Sequence, residues 1–145
     1  MATNRGLVIL SIKTNESTLV PVPVLNKTPI RTIAIDKDRN IWLGTFGEVK
    51  LVKLSVDLKK TEVYDRFLSS SVNTQPMNVM DIMADNKNRI WVATATALAF
   101  LDLATDRFTW MPQGNDLPGC LPSGEPVRIL VTTSGRVFVA IDKST

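Results

Sequence analysis

The sequence contains no histidine. That absence removes the Ser-His and Cys-His nucleophile systems and the usual zinc and iron sites, all of which depend on imidazole. Cysteine is nearly absent as well. Cys120 is the only one, so no internal disulfide can form and cysteine usage says nothing about the redox compartment. Its surroundings, Leu-Pro-Gly-Cys-Leu-Pro, read as a loop. No run approaches the ~20 apolar residues of a membrane helix, and no apolar segment near Met1 has the character of a secretory leader. The chain is therefore expected to be cytoplasmic if complete, or else part of a longer secreted chain, with no membrane contact by this segment. Sustained 3.6-residue periodicity is missing, which argues against helices. The net charge of +3 comes from 17 basic and 14 acidic residues. Lys50, Lys53, Lys59, Lys60 and the rest are scattered without interleaved aromatics, so no nucleic-acid partner is expected.

What the sequence does have is a repeat. Asp36, Trp42 and Thr45 recur 49 residues later as Asp85, Trp91 and Thr94. A third, weaker copy follows 47 residues on, with Phe138 in the Trp position and Thr132 in the Asp position. In each copy an apolar run meets a polar turn and then a second apolar run carrying an aromatic residue, which is the pattern of a β-hairpin. The turn needs a residue that tolerates positive φ. Asn88 and Gly135 suit that position, whereas Arg39 does not, so either the first turn is of a different type or Asn40 takes the left-handed residue.

A second strand pair follows each hairpin. Residues 98–110 read as strand, turn, strand, and residues 7–19 match them. With the strands of one unit labelled a to d, the chain reads c-d, a-b-c-d, a-b-c-d, a-b. Prolines fall at strand ends or in connections, where they are tolerated. Four short antiparallel strands recurring every ~40–50 residues are the signature of β-propeller blades. A constant shift across several residue types argues against a β-sandwich of accidental similarity. The expected fold is all-β. Its division is a half-blade at 1–24 (strands c-d), blades at 25–72 and 73–115, and a half-blade at 116–145 (strands a-b). The innermost strands are expected near 30–35, 79–84 and 127–132.

The run from Asp36 through Trp42 to Thr45 resembles the two-component regulator propeller repeat: Asp, a short turn ending in Gly-Asn, an aliphatic residue, Trp, an aliphatic residue, Gly and Thr. Gly6-Leu7 and Ala97-Leu98 fit its Gly-Leu strand, and Tyr64 and Trp110 its closing aromatic. Departures are Arg39 and Asn88 for the turn glycine, Ala93 for the Gly before Thr, and the third copy's missing Asp and Trp. The resemblance implies a periplasmic, non-enzymatic sensing module of bacterial hybrid two-component sensors, with a glycan or other small molecule as ligand. The alternative is a stand-alone scaffold that docks another protein.

Individual residues narrow the chemistry. Asp36-Lys37-Asp38-Arg39-Asn40 has the spacing that opens a calcium loop, but the Gly and the closing Glu are missing. A hairpin turn in which Asp36 accepts from nearby backbone amides accounts for it instead, so no metal and no cofactor are expected. Trp42, Trp91 and Phe138 share one repeat position and should fill the layer between blades; Thr45 and Thr94 share another. Phe46 and Glu48, in a b–c connection two residues longer than its counterpart, are candidate ligand contacts, as are Arg66, Phe67 and Gln75 in the first long d–a connection. No catalytic residue is assigned. Glu48, Asp65, Asp81 and Glu125 show no spacing that pairs them for acid–base work.

Three blades' worth of strands should not close alone, since propellers have about four to eight blades. Self-association, or the remainder of a longer propeller, is the expected partner. In the first case strands 7–12 and 19–22 of one chain complete strands 127–131 and 137–141 of another, giving a six-bladed ring.

Overall fold

The computed structural model describes residues 6–47, 51–64, 78–114 and 118–143. These form four antiparallel sheets in chain order. The first pairs β1 (Leu7–Ser11) with β2 (Glu16–Val20). The second runs β3 (Ile30–Ile35), β4 (Ile41–Thr45), β5 (Leu51–Leu54), β6 (Thr61–Tyr64), and the third β7 (Val79–Ala84), β8 (Arg89–Thr94), β9 (Leu98–Asp102), β10 (Arg107–Met111). The fourth pairs β11 (Glu125–Val131) with β12 (Val137–Asp142). Helix among the described residues is limited to one 3-10 turn, Pro23–Leu25.

The sheets stack face to face with β3 against β7 and β7 against β11, so the first strands of successive sheets lie side by side. Each interface has its own apolar layer. Leu7 and Val20 meet Leu43, Val52 and Leu54 between the first two sheets. Trp42 and Leu51 meet Val79, Ile82, Ile90 and Leu101 between the second and third. Trp91, Ala93 and Leu98 meet Ile129 between the third and fourth. This is the packing of propeller blades, in which both faces of a sheet are buried by its neighbours, and the all-β architecture read from the repeat is what the chain adopts.

The innermost strands occupy the positions expected from the repeat. Strand β2 does not: 19–22 was the expected span, whereas pairing runs from Glu16 to Val20. The strand is the solvent-facing edge of its sheet, so it tolerates Glu16, Ser17 and Thr18 and shows no apolar alternation. Pro21, which lacks an amide hydrogen, follows its last paired residue. A bulge interrupts the register at the same place in three sheets, between Ile30 and Thr32, Val79 and Asp81, and Pro126 and Arg128. Bulges sharpen strand twist, and this one bends every innermost strand at one level.

The glycine before Thr45 has a steric reason. A Cβ on Gly44 would lie 2.5 Å from Val79 Cγ1 and 2.6 Å from Thr32 Cγ2, so the second and third sheets meet there too closely for a side chain. Ala93, in the equivalent position, is accommodated in the next interface.

The turn at Arg39 corrects the sequence reading. Neither alternative holds: Arg39 itself takes the left-handed conformation, φ 65°, as Asn88 does at 63° and Gly135 at 83°. The turn type is retained because the Asn40 backbone is held in the hairpin, its N–H donating to Asp36 Oδ1 and its carbonyl accepting the Asp36 amide, as the Arg89 backbone is in the next copy. A non-glycine residue in this region costs roughly 1–2 kcal/mol. Arg39→Gly should therefore raise the stability of the chain by about 1 kcal/mol, read as an increase in the urea midpoint at unchanged slope. No change in midpoint would show that the Arg39 backbone is unstrained.

Candidate functional site

Two constellations of polar side chains stand out, one holding the blades and one lying at their rim. In the first, Asp36 is buried behind its turn. Its Oδ1 accepts the backbone N–H groups of Asp38 and Asn40, each at 2.9 Å. Its Oδ2 accepts the Trp42 indole N–H at 2.9 Å and the Asn40 amide at 3.0 Å. Asp85 repeats the arrangement, with Lys87 and Arg89 amides at 2.8 and 3.0 Å on Oδ1 and Trp91 Nε1 at 3.0 Å on Oδ2. Arg89 replaces Asn40 there and ion-pairs with Oδ2 at 2.6 Å, while its guanidinium carbon lies 5.2 Å from the Trp91 ring centroid. In the third copy Thr132 keeps only the turn, its Oγ1 accepting from the Arg136 amide at 3.0 Å. Phe138 has no N–H to donate, and it is half exposed rather than enclosed in an inter-blade layer, because no described sheet follows on that face.

Asp81 performs a different structural task on the innermost strand of the third sheet. Its Oδ1 accepts the Thr32 hydroxyl at 2.9 Å and its Oδ2 the Ile129 amide at 2.9 Å. One carboxylate thus ties together β3, β7 and β11, and its oxygens are engaged in holding the strands.

The rim constellation forms where the β4–β5 connection meets the bulge of β3. The Arg31 guanidinium carbon stands 5.3 Å from the centroid of the Phe46 ring, a cation–π distance. The Phe46 amide donates to the Pro29 carbonyl at 3.0 Å. The next amide, Gly47 N–H, donates to Asn78 Oδ1 at 2.7 Å, bridging to the third sheet. Phe46 is held by these contacts with 43% of its surface exposed. Of the residues singled out in the sequence as ligand contacts, Glu48, Arg66, Phe67 and Gln75 lie outside the described residues. Arg31 and Asn78 were not singled out. A signal for Arg31 was present, since its bulge position holds Met80 and Val127 in the other two copies. Beside the rim a cavity of about 380 Å³ opens between β1 and β3, lined by Gly6, Leu7, Val8 and the strand residues from Ile30 to Ile33.

Residues 24–47, which span the Asp36–Trp42 unit, match the family model of the two component regulator propeller. The segment is similar to a two-component regulator propeller repeat. Solved structures agree with the propeller architecture. The extracellular domain of BT4673 from B. thetaiotaomicron, described as a one component system in one crystal structure, superposes with a TM-score of 0.74 at 13% identity. The match covers 97% of this chain and 18% of that one. A second crystal structure of that domain, described as part of a hybrid two component system, gives 0.72 at 13% identity, with the same shares, 97% and 18%. The extracellular domain of the hybrid two component system BT3049 from the same organism gives 0.64 at 23% identity, covering 95% of this chain and 16% of that one. The chain thus spans less than a fifth of these neighbours, and the likeness shows the fold. No sequence among the curated proteins matches.

The propeller's repeat carboxylates are electrostatically tuned. Burial pushes the Asp36 carboxyl up, but the Trp42 indole, the Asn40 side chain and the turn amides outweigh it and hold the pKa below its ordinary value of 3.8. Asp85 is likewise held below 3.8, burial again opposed by Trp91, Arg89 and the turn amides. A carboxylate with a depressed folded pKa adds stability that is fully present above the unfolded value and is lost as pH falls through the folded one. The thermal midpoint should therefore drop as pH is lowered below about 4, and Asp36→Asn should flatten that dependence. An unchanged profile in the variant would show that Asp36 is not among the groups responsible.

The carboxylate and the indole also act as a pair. Trp42→Phe leaves a buried carboxylate short of a donor and should cost about 1.5–3 kcal/mol. Combining it with Asp36→Thr reproduces the third copy's pair. That double variant should lose less than the sum of the two single changes, by about 1–2 kcal/mol in a double-mutant cycle at pH 7. Additive losses would show the two residues to be independent.

Proposed function

We propose that this chain is a non-enzymatic sensing segment of an extracytoplasmic propeller, and that its rim around Phe46 binds a carbohydrate. The family match and the extracellular domains that share its fold support the sensor reading. They also support a periplasmic location for the protein to which the chain belongs. The observation that carries the ligand reading is the pairing of Arg31 with Phe46. A half-exposed ring offers a flat apolar face to a sugar ring, and the guanidinium offers a fork of donors for hydroxyls or a carboxylate. Aromatic faces with a few convergent polar groups are the usual makings of small-molecule sites. Glu48, Arg66, Phe67 and Gln75 fall in connections adjoining this rim in sequence and remain candidate contacts.

The polar groups of the blades support a binding reading over a catalytic one. Asp36, Asp81 and Asp85 are each committed to hydrogen bonds that hold strands or turns. Titration of the chain with neutral and uronic-acid oligosaccharides, followed by amide chemical shifts, tests the proposal. Saturable shifts centred on Arg31, Phe46, Gly47 and Asn78 are expected, with binding weakened at least tenfold in Phe46→Ala. Shifts confined to other surfaces, or none across both glycan classes, would remove the carbohydrate assignment.

A further inference from the structure

Among the described residues, the groups that meet the Asp81 carboxylate are all donors. Its Oδ1 accepts the Thr32 hydroxyl of β3 at 2.9 Å and the Ile82 amide of its own strand at 3.1 Å. Its Oδ2 accepts the Ile129 amide of β11 at 2.9 Å. Both amides belong to innermost strands, which pair on one side only, β7 with β8 and β11 with β12, so alternate amides there have no ladder partner. Asp81 closes the bulge of β7, and the same place is held by Thr32 in β3 and by Arg128 in β11. Thr32 has a single side-chain oxygen and the Arg128 guanidinium accepts nothing. Of the three, Asp81 alone can hold the sheets on both sides of it.

The rim is carried by the same short segments. Thr32 lies opposite Gly44 in the β3–β4 register, and the Thr32 methyl and Val79 both lie where a Gly44 side chain would begin. Arg31 immediately precedes Thr32, and Asn78 immediately precedes Val79. Two polar bonds therefore cross from the second sheet to the third, Thr32 to Asp81 and Gly47 to Asn78, with the close approach of Gly44 and Val79 between them. The Gly47 bond is exposed, so it competes with water and holds a separation only weakly by itself. The Thr32 bond is partly buried and ends on a carboxylate, which makes it the stronger of the two.

We infer that Asp81 is the positioning residue of the rim. Anchored to β11 through the Ile129 amide, it holds Thr32 and with it the strand segment that carries Arg31 to Phe46. It thereby fixes the separation of the second and third sheets at which Gly47 meets Asn78. Asp81 itself touches no ligand. Its effect on affinity rests on the carbohydrate reading of the rim, whereas its effect on geometry rests on the hydrogen bonds alone. The carboxylate is specific to the task. In Asp81→Asn, whichever way the amide is turned, its NH2 group faces the Ile82 or the Ile129 N–H, and one bond is lost.

Chemical shifts of the chain without ligand test the geometry. Thr32→Val keeps the side chain's shape and removes the hydroxyl. It and Asp81→Asn should each displace the Gly47 amide and Asn78 side-chain NH2 signals, and Thr32→Ser, which restores the hydroxyl, should return them. Leu54→Val trims the layer between the first two sheets, opposite Ile41 at the end of β4 away from Gly47. It should lower the thermal midpoint and leave both signals in place, which separates positioning from general destabilisation. Titration with the neutral or uronic-acid oligosaccharide that the unaltered chain binds best should show Thr32→Val binding roughly tenfold more weakly, with Thr32→Ser close to the original. Signals unmoved in Thr32→Val and Asp81→Asn, or moved as far in Leu54→Val, overturn the inference. Displaced signals with undiminished affinity overturn its bearing on the ligand. If the unaltered chain binds neither class of oligosaccharide, the carbohydrate reading falls, and the Gly47 response still decides the positioning role.

Discussion

In each complete blade an aspartate carboxylate accepts hydrogen bonds from the amides of a turn and from the indole of a tryptophan six residues on. The turn fixes where strand b begins, and the indole fixes how the largest side chain of strand b sits in the layer against the next sheet. A buried indole N–H without an acceptor is costly, and so is a buried carboxylate without donors. Each answers the other's need, so hairpin geometry and inter-blade packing are set by one group. Asn40 and Arg89 complete the shell in different ways, one with an amide and one with a guanidinium. The repeat therefore tolerates variation at that position as long as a donor remains. In the third copy both partners change together, Thr132 for Asp and Phe138 for Trp. The turn amides still need an acceptor, which a hydroxyl supplies, but no indole remains to be satisfied.

That coupling was partly legible in the sequence. The constant spacing of Asp36, Trp42 and Thr45 with Asp85, Trp91 and Thr94 implied strands, turns and blades, because a repeated unit must repeat its packing. The role of Asp36 in its turn followed from side-chain chemistry. The link from Asp36 to Trp42 across the blade did not follow from either residue alone. Its trace was the joint loss of both in the third copy. Arg39 was misread for a related reason: the turn chemistry favours glycine or asparagine, but the Asn40 side chain is drawn to the carboxylate and the strained conformation falls to its neighbour. Residue preference was overridden by hydrogen bonds within the turn itself.

The rim was less legible because its residues come together through the bulge and the blade-to-blade contact, neither of which has a spacing rule. Phe46 stood out as an aromatic residue beside a glycine in a lengthened connection. Arg31 belongs to an innermost strand whose residues read as core, and only the bulge turns that position into rim. Asn78 reaches Gly47 from the start of another sheet, a contact between residues far apart in sequence. A pattern confined to one blade therefore carries the fold and leaves contacts between blades, such as Asn78 with Gly47, to geometry.

A stack of sheets stabilised by its neighbours behaves as a one-dimensional array, in which each unit owes much of its stability to the two interfaces it makes. Such arrays end either in units with polar outer faces or by returning on themselves. The first and fourth described sheets expose apolar residues, Val8, Ile9 and Leu10 on one and Leu130 and Phe138 on the other, so they do not have the character of caps. Their edges, too, lack the charged and proline-rich blunting that solvent-facing strands usually carry: β1 reads Leu-Val-Ile-Leu-Ser and β12 Val-Phe-Val-Ala-Ile-Asp. The contrast with β2, which is a true outer edge and carries Glu16, Ser17 and Thr18, lies within the same sheet. The side chains of β1 and β12 are those of interior strands, and the physics that selects polar residues for an exposed edge has not acted on them.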